Sequence, residues 1–91
     1  MADHDLDGIL AALNHHHQRA TYSAVAALLG QTPRLLMHDK PREPGNSWVV
    51  SKATGRPSGY KDEMIHPQLM DSEVVLRTRD ELATWLAAVT N

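Results

Sequence analysis

Two helix starts set close together constrain this chain more than any other feature. Thr21 precedes Tyr22-Ser-Ala-Val-Ala-Ala-Leu-Leu29, and Gly30 follows. A threonine hydroxyl can accept from the amides of a first helical turn, and glycine takes the left-handed backbone that ends a helix. Val25, Ala26, Leu28 and Leu29 supply an apolar face, so a helix is predicted over 22–29. Thr32-Pro33 then opens another, with threonine as N-cap and proline at the first helical position. Its body runs from Arg34 to Met37 or His38. A short turn containing glycine between two helices is the spacing of a helix-turn-helix.

The rest of the chain is arranged around that pair. Leu6, Ile9, Leu10 and Leu13 fall at helical spacing and predict an amphipathic helix over 4–17, capped by Asp3 or Asp5. Residues 39–46 carry Pro41, Pro44 and Gly45 and read as a loop. Ser47-Trp-Val-Val-Ser51 reads as a strand, 54–59 as a turn or wing, and Tyr60 as the start of a second short strand. Residues 61–72 are irregular, anchored by Ile65, Pro67 and Leu69. Val74-Val-Leu76 is predicted to pair with 47–51. Thr78-Arg-Asp-Glu81 is a capping box ahead of Leu82, Trp85, Leu86 and Val89, which predicts a last helix over 79–89. The expected fold is α+β: a winged-helix-like helix-turn-helix with a small β-sheet (wing) and a C-terminal helix, in a single domain over 1–91.

Composition narrows the chemistry. Ninety-one residues make one domain. Its aromatics are Trp48, Trp85, Tyr22 and Tyr60, so the core must be aliphatic. Trp85, at helical spacing, belongs to that core; Trp48 fits either the core or an exposed stacking surface. The absence of cysteine excludes a disulfide scaffold, a thiolate nucleophile and a cysteine zinc site. No apolar run approaches the roughly 20 residues of a membrane span. The first residues are acidic where a signal peptide would be basic, so a cytoplasmic protein without membrane contact is expected.

Catalytic and metal-binding motifs are not evident. His15, His16 and His17 are consecutive, so on a helix their imidazoles diverge by about 100° and cannot share one metal. His38 and His66 lie far from them in sequence, and nothing marks them as ligands. None of the serines stands in a Gly-x-Ser-x-Gly elbow; Ser47 with a histidine and Asp39 is the nearest approach to a triad. Gly55, Gly59 and Lys61 do not match a phosphate-loop spacing. Neither an enzyme nor a cofactor is expected.

Charge is more informative. The net charge is −2, but it is unevenly spread. Residues 33–61 hold Arg34, Lys40, Arg42, Lys52, Arg56 and Lys61 against Asp39 and Glu43, while both ends are acidic. A localised basic segment suits a polyanion despite a negative total. In a helix-turn-helix the second helix lies in a major groove and the first contacts the backbone. Thr21, Tyr22, Ser23, Gln31, Thr32 and Arg34 would then supply groove and phosphate contacts, with Lys52 and Arg56 reaching from the wing. Lys40 and Arg42 add to the same basic surface.

The segment Thr21-Tyr22-Ser-Ala-Val-Ala-Ala-Leu-Leu-Gly30-Gln-Thr-Pro33-Arg34 resembles the C-terminal DNA-binding domain of the O6-alkylguanine-DNA alkyltransferases and the alkyltransferase-like proteins. That family carries Thr-Tyr-Gly-x-Ile-Ala, then glycine and proline, before its recognition helix. Asn46-Ser-Trp-Val-Val50 falls where the family has Pro-Cys/Trp-His-Arg-Val-Val, and Gly55 with Ser58-Gly-Tyr60 falls on its glycine-tyrosine segment. The resemblance spans residues 20–60. It implies that Tyr22 works against a DNA phosphate, and it sets Met37 near the arginine that fills the gap left by a flipped base. The reactive cysteine falls on Asn46, which cannot accept an alkyl group, and the motif's histidine and arginine are Ser47 and Trp48. The resemblance therefore implies DNA binding without alkyl transfer. The alternative is a protein-interaction or regulatory domain that has kept the fold; an exposed apolar patch around Trp48, Tyr60 and Met64 would favour it.

Overall fold

The computed structural model describes residues 5–37, 40, 42–71 and 74–90. Three helices and a three-stranded parallel sheet make an α+β architecture. Helix α1 (Leu6–His16) starts at Asp5, whose carboxylate accepts from the Gly8 amide at 2.7 Å; Asp3 lies outside the described residues. Strand β1 (Arg19–Thr21) runs directly into α2 (Tyr22–Leu29). Thr21 Oγ1 accepts from the Ala24 amide at 3.1 Å, and Gly30 closes the helix at φ 70°. Strands β2 (Val49–Val50) and β3 (Val75–Leu76) follow, and α3 (Arg79–Thr90) ends the fold. The capping box forms as expected: Thr78 Oγ1 accepts from the Glu81 amide at 3.1 Å, and Glu81 Oε1 accepts from the Thr78 amide at 3.2 Å.

Three expectations are corrected. First, no α-helix forms over the described residues 33–37. The segment turns through bonds from Leu35 N to Thr32 O and from Leu36 N to Pro33 O. A nucleus closed in so few residues, begun at a proline and followed in sequence by Pro41, gains too few i to i−4 bonds to propagate. Second, 74–76 does not pair with 47–51. Both strands pair in parallel with β1, which the sequence reading left out, in the order β2-β1-β3. Parallel neighbours need a crossover, and α2 lies within the one between β1 and β2. A wing hairpin would pair adjacent strands in antiparallel fashion; here 51–56 folds back as a loop, Ser51 N donating to Arg56 O at 2.8 Å. Third, Tyr60 begins no strand.

The core is aliphatic apart from Trp48. Ile9, Leu10 and Leu13 of α1, Val25 of α2, Val49 and Val50 of β2, and Leu82 and Leu86 of α3 are buried around it. Trp85 packs against this cluster half-buried. Among the described residues Arg19 is the charged side chain that is buried, a guanidinium in a strand only 5% exposed. Its Nη1 donates to Gly55 O at 2.9 Å and approaches Met70 Sδ at 3.4 Å. Gly55 must be glycine twice over. It sits at φ 70°, and a Cβ there would lie 2.9 Å from Arg19 Nη1. Gly55→Ala is expected to lower stability by about 1–2 kcal/mol through backbone strain alone. The denaturant midpoint reads this, with Gly45→Ala, whose nearest neighbour would be 3.9 Å away, as the control. Equal midpoints would refute the assignment.

Candidate nucleic-acid interface

A cleft of ≈ 470 Å³ opens beside the start of α2. Tyr22, the first helical residue, stands on one side; its hydroxyl accepts from the Ser58 amide at 2.9 Å. A neutral phenol that accepts this bond still has a proton to donate. Tyr60 faces the same cleft and donates its own proton to Asn46 O at 3.2 Å. Burial pushes the Tyr60 phenol up to about 12, with the Tyr22 phenol adding to the rise, Arg42 opposing it and Glu43 reinforcing it. Tyr60 therefore remains a protonated donor throughout the neutral range. Arg34 and Met37, from the turn after α2, line the cleft as well, and Lys40 and Arg42 add two more cations to the lining.

Local sequence explains how these groups converge. Gly59, at φ 75°, turns the 55–60 loop back toward α2, and its missing side chain lets the Arg42 guanidinium approach; a Cβ would meet Arg42 Nε at 3.3 Å. Lys40 pairs with Asp7 of α1, an ion pair that locates the ammonium group more than it stabilises the fold.

Of the residues singled out from sequence, the cleft thus gathers Tyr22, Arg34, Met37, Lys40 and Arg42. Thr21 and Lys52 line a separate depression. Thr21 is 2% exposed, and its hydroxyl is engaged in capping α2 and in donating to Arg77 O at 3.4 Å. Ser23, Gln31, Thr32 and Arg56 are exposed and do not line the cleft. Pro33, Ser58 and Tyr60 also line it and were not among the sequence candidates; the Gly59-Tyr60 pair was the available signal for the last.

The remaining candidates have structural surroundings. Ser47 is fully buried; its hydroxyl donates to Pro44 O at 2.7 Å and accepts from the His66 amide at 3.0 Å. Asp39 and His38 lie outside the described residues. Trp48 is fully buried, its Nε1 donating to Asn14 Oδ1 at 2.8 Å, so the proposed patch of Trp48, Tyr60 and Met64 has no exposed centre. Of the three consecutive histidines, His15 meets His16 edge-on at 4.8 Å, His16 also meets Trp85 edge-on, and His17 stacks on Trp48. Among the described residues, no group of three or more His, Cys, Asp or Glu is placed to hold a metal, and no helix is long and apolar enough to cross a membrane.

His66 completes the stack, its ring centroid 4.8 Å from Trp48 and 4.9 Å from His17. Burial first, then the neighbouring His17, lowers the His66 pKa below its usual value, with Asp71 opposing. The unfolded chain therefore binds a proton more readily at this position than the folded one. The stabilising contribution is present above the unfolded pKa near 6.5 and is lost as pH falls through it. A chemical-denaturation series from about pH 7.5 to about pH 5 is expected to show falling stability, with a shallower slope in His66→Asn. A slope unchanged by the substitution would remove His66 as its source.

Comparison of the chain with protein-family models, with curated proteins and with solved structures gives no match in any of the three.

Proposed function

We propose that this chain is a non-enzymatic DNA-binding module that holds the phosphodiester backbone in the Tyr22–Tyr60 cleft, with α2 and the turn after it supplying the contact surface. The observation that carries the reading is the convergence of Arg34, Lys40 and Arg42 with two phenols in one open cleft. Guanidinium and ammonium groups neutralise phosphates, the Tyr22 hydroxyl, which only accepts within the chain, can donate to them, and ring faces accept an unstacked base. The resemblance to alkyltransferase-like proteins supports the same surface through Tyr22. Asn46 at the reactive position, a carboxamide that cannot accept an alkyl group, favours binding without alkyl transfer. The protein-interaction alternative is weaker, because burial of Trp48 removes the apolar patch it would use.

Fluorescence anisotropy with plain duplex, single-stranded and O6-methylguanine duplex DNA tests this. Binding that weakens steeply with salt is expected, with a log–log slope of about −0.9 per phosphate neutralised on duplex. A preference for the lesion would extend the alkyltransferase-like reading to damage recognition. Absence of binding to all three at low salt would end the DNA reading.

A further inference from the structure

We infer that the Tyr22–Tyr60 cleft takes an unpaired nucleotide, so that the chain binds single-stranded DNA in preference to duplex. The inference rests on the DNA reading above and deepens it. What carries it is the pair of tyrosine rings. Trp48 packs against His17 and His66, and Trp85 against His16. Tyr22 and Tyr60 make no ring contact with another aromatic among the described residues. Both are half-buried, and both line the same cleft. The two phenols also lie close enough to act on each other electrostatically.

The rings are set in place before a ligand arrives. The Tyr22 hydroxyl accepts from the Ser58 amide at 2.9 Å, and the Tyr60 hydroxyl donates to Asn46 O at 3.2 Å. Each bond fixes its ring through the oxygen and uses none of the π face. Pro57, next to Ser58, is buried and anchors the loop that joins them. A preformed wall of this kind binds with little loss of side-chain or loop freedom. Tyr22 and Met37 rest on the hydrophobic core, and Pro33 adds further apolar lining. Arg34, Lys40 and Arg42 bring the charge. Aromatic faces for the base beside cations for the backbone are the two parts of a single-strand site.

Duplex DNA cannot use the aromatic part. Its bases are stacked on one another, so it shows a protein only phosphates, sugars and groove edges. An unpaired base offers its faces as well. The cleft, at ≈ 470 Å³, falls in the range of roughly 300–1,000 Å³ for sites that enclose a small ligand, which is the scale of one nucleotide and not of a double helix. Met37 gains a role here as a polarisable apolar surface against an aromatic base.

Fluorescence anisotropy at one salt concentration tests this with three ligands of equal length: a single strand of mixed sequence, the same strand built wholly of abasic sites, and the corresponding duplex. The abasic strand keeps every phosphate and removes every base. The single strand is expected to bind about tenfold tighter than the abasic strand, and tighter than the duplex. Tyr60→Leu should close that gap between the two strands, and Tyr60→Phe, which keeps the ring, should restore it. The abasic comparison is made on the unaltered protein, so it decides the matter even where Tyr60→Leu does not fold. Equal affinity for the strand with and without bases, tighter binding to the duplex, or a folded Tyr60→Leu with the parent's gap would each overturn the inference and leave the DNA reading on its phosphate contacts. Absence of binding to all three would end both.

Discussion

Trp48→Ala should cost about 3–5 kcal/mol of folding stability and leave the affinity of the folded fraction for DNA unchanged. The indole is fully buried, the largest side chain in the core. Its removal leaves a cavity between α1 and β2, and it strands Asn14 Oδ1, which now accepts from Nε1 at 2.8 Å. It also takes away the ring on which His17 stacks at 5.3 Å. Domains of this size are stable by about 5–15 kcal/mol, so the variant keeps little margin. A fall in Tm of more than about 12 °C is expected. Trp48→Phe, which retains an apolar ring and loses the indole donor and part of the ring volume, should fall in between. The sequence left Trp48 open between core and stacking surface, and the two readings part here. A stacking residue would lose affinity at nearly constant Tm; a core residue loses Tm at constant affinity. A Tm within about 2 °C of the parent would contradict its burial.

What the sequence made legible is what local chemistry fixes. Asp5, Thr21 and the Thr78–Glu81 box act on amides three residues away, Gly30 donates its own amide to the carbonyls of Ala26 and Ala27, and α2 runs over 22–29 as its caps predict. Strand β1 was not legible, because nothing local makes Arg19-Ala-Thr21 a strand. Its partners are Val49–Val50 and Val75–Leu76, and the burial of Arg19 depends on Gly55, far along the chain. Without β1 between them, β2 and β3 looked like each other's natural partners. The segment after Gly30 shows the converse failure. Thr32 and Pro33 carry the same start signal as α2, yet only a turn follows, with Leu36 drawn into the core. The cations of the cleft could be found from charge alone; the place of Tyr60 beside Tyr22 could not, because it depends on how the 55–60 loop folds back.

The largest functional effect is expected from Arg34→Ala combined with Arg42→Ala. Each removes one cation proposed to neutralise a phosphate in the cleft, so the salt slope should shrink by about 1.8 and low-salt affinity should fall on the order of a hundredfold. Both side chains are exposed, and the loss of stability should stay within about 0.5 kcal/mol for each, so the loss reports binding and not unfolding. Arg79→Ala is the control: its guanidinium faces Asp80 on α3 and lines no part of the cleft. A parent-like slope in the double variant would mean that DNA lies elsewhere on the surface. Asp7→Asn argues from the opposite direction. Asp7 holds Lys40 in an ion pair at the cleft edge, and neutralising it releases a cation to compete for phosphate. The variant also gives up an acid in the first turn of α1, at a cost of about 0.3–1 kcal/mol from the helix dipole. Tighter DNA binding by a slightly less stable protein is a result that damage to the fold cannot mimic. Unchanged or weaker binding would show that Lys40 takes no part.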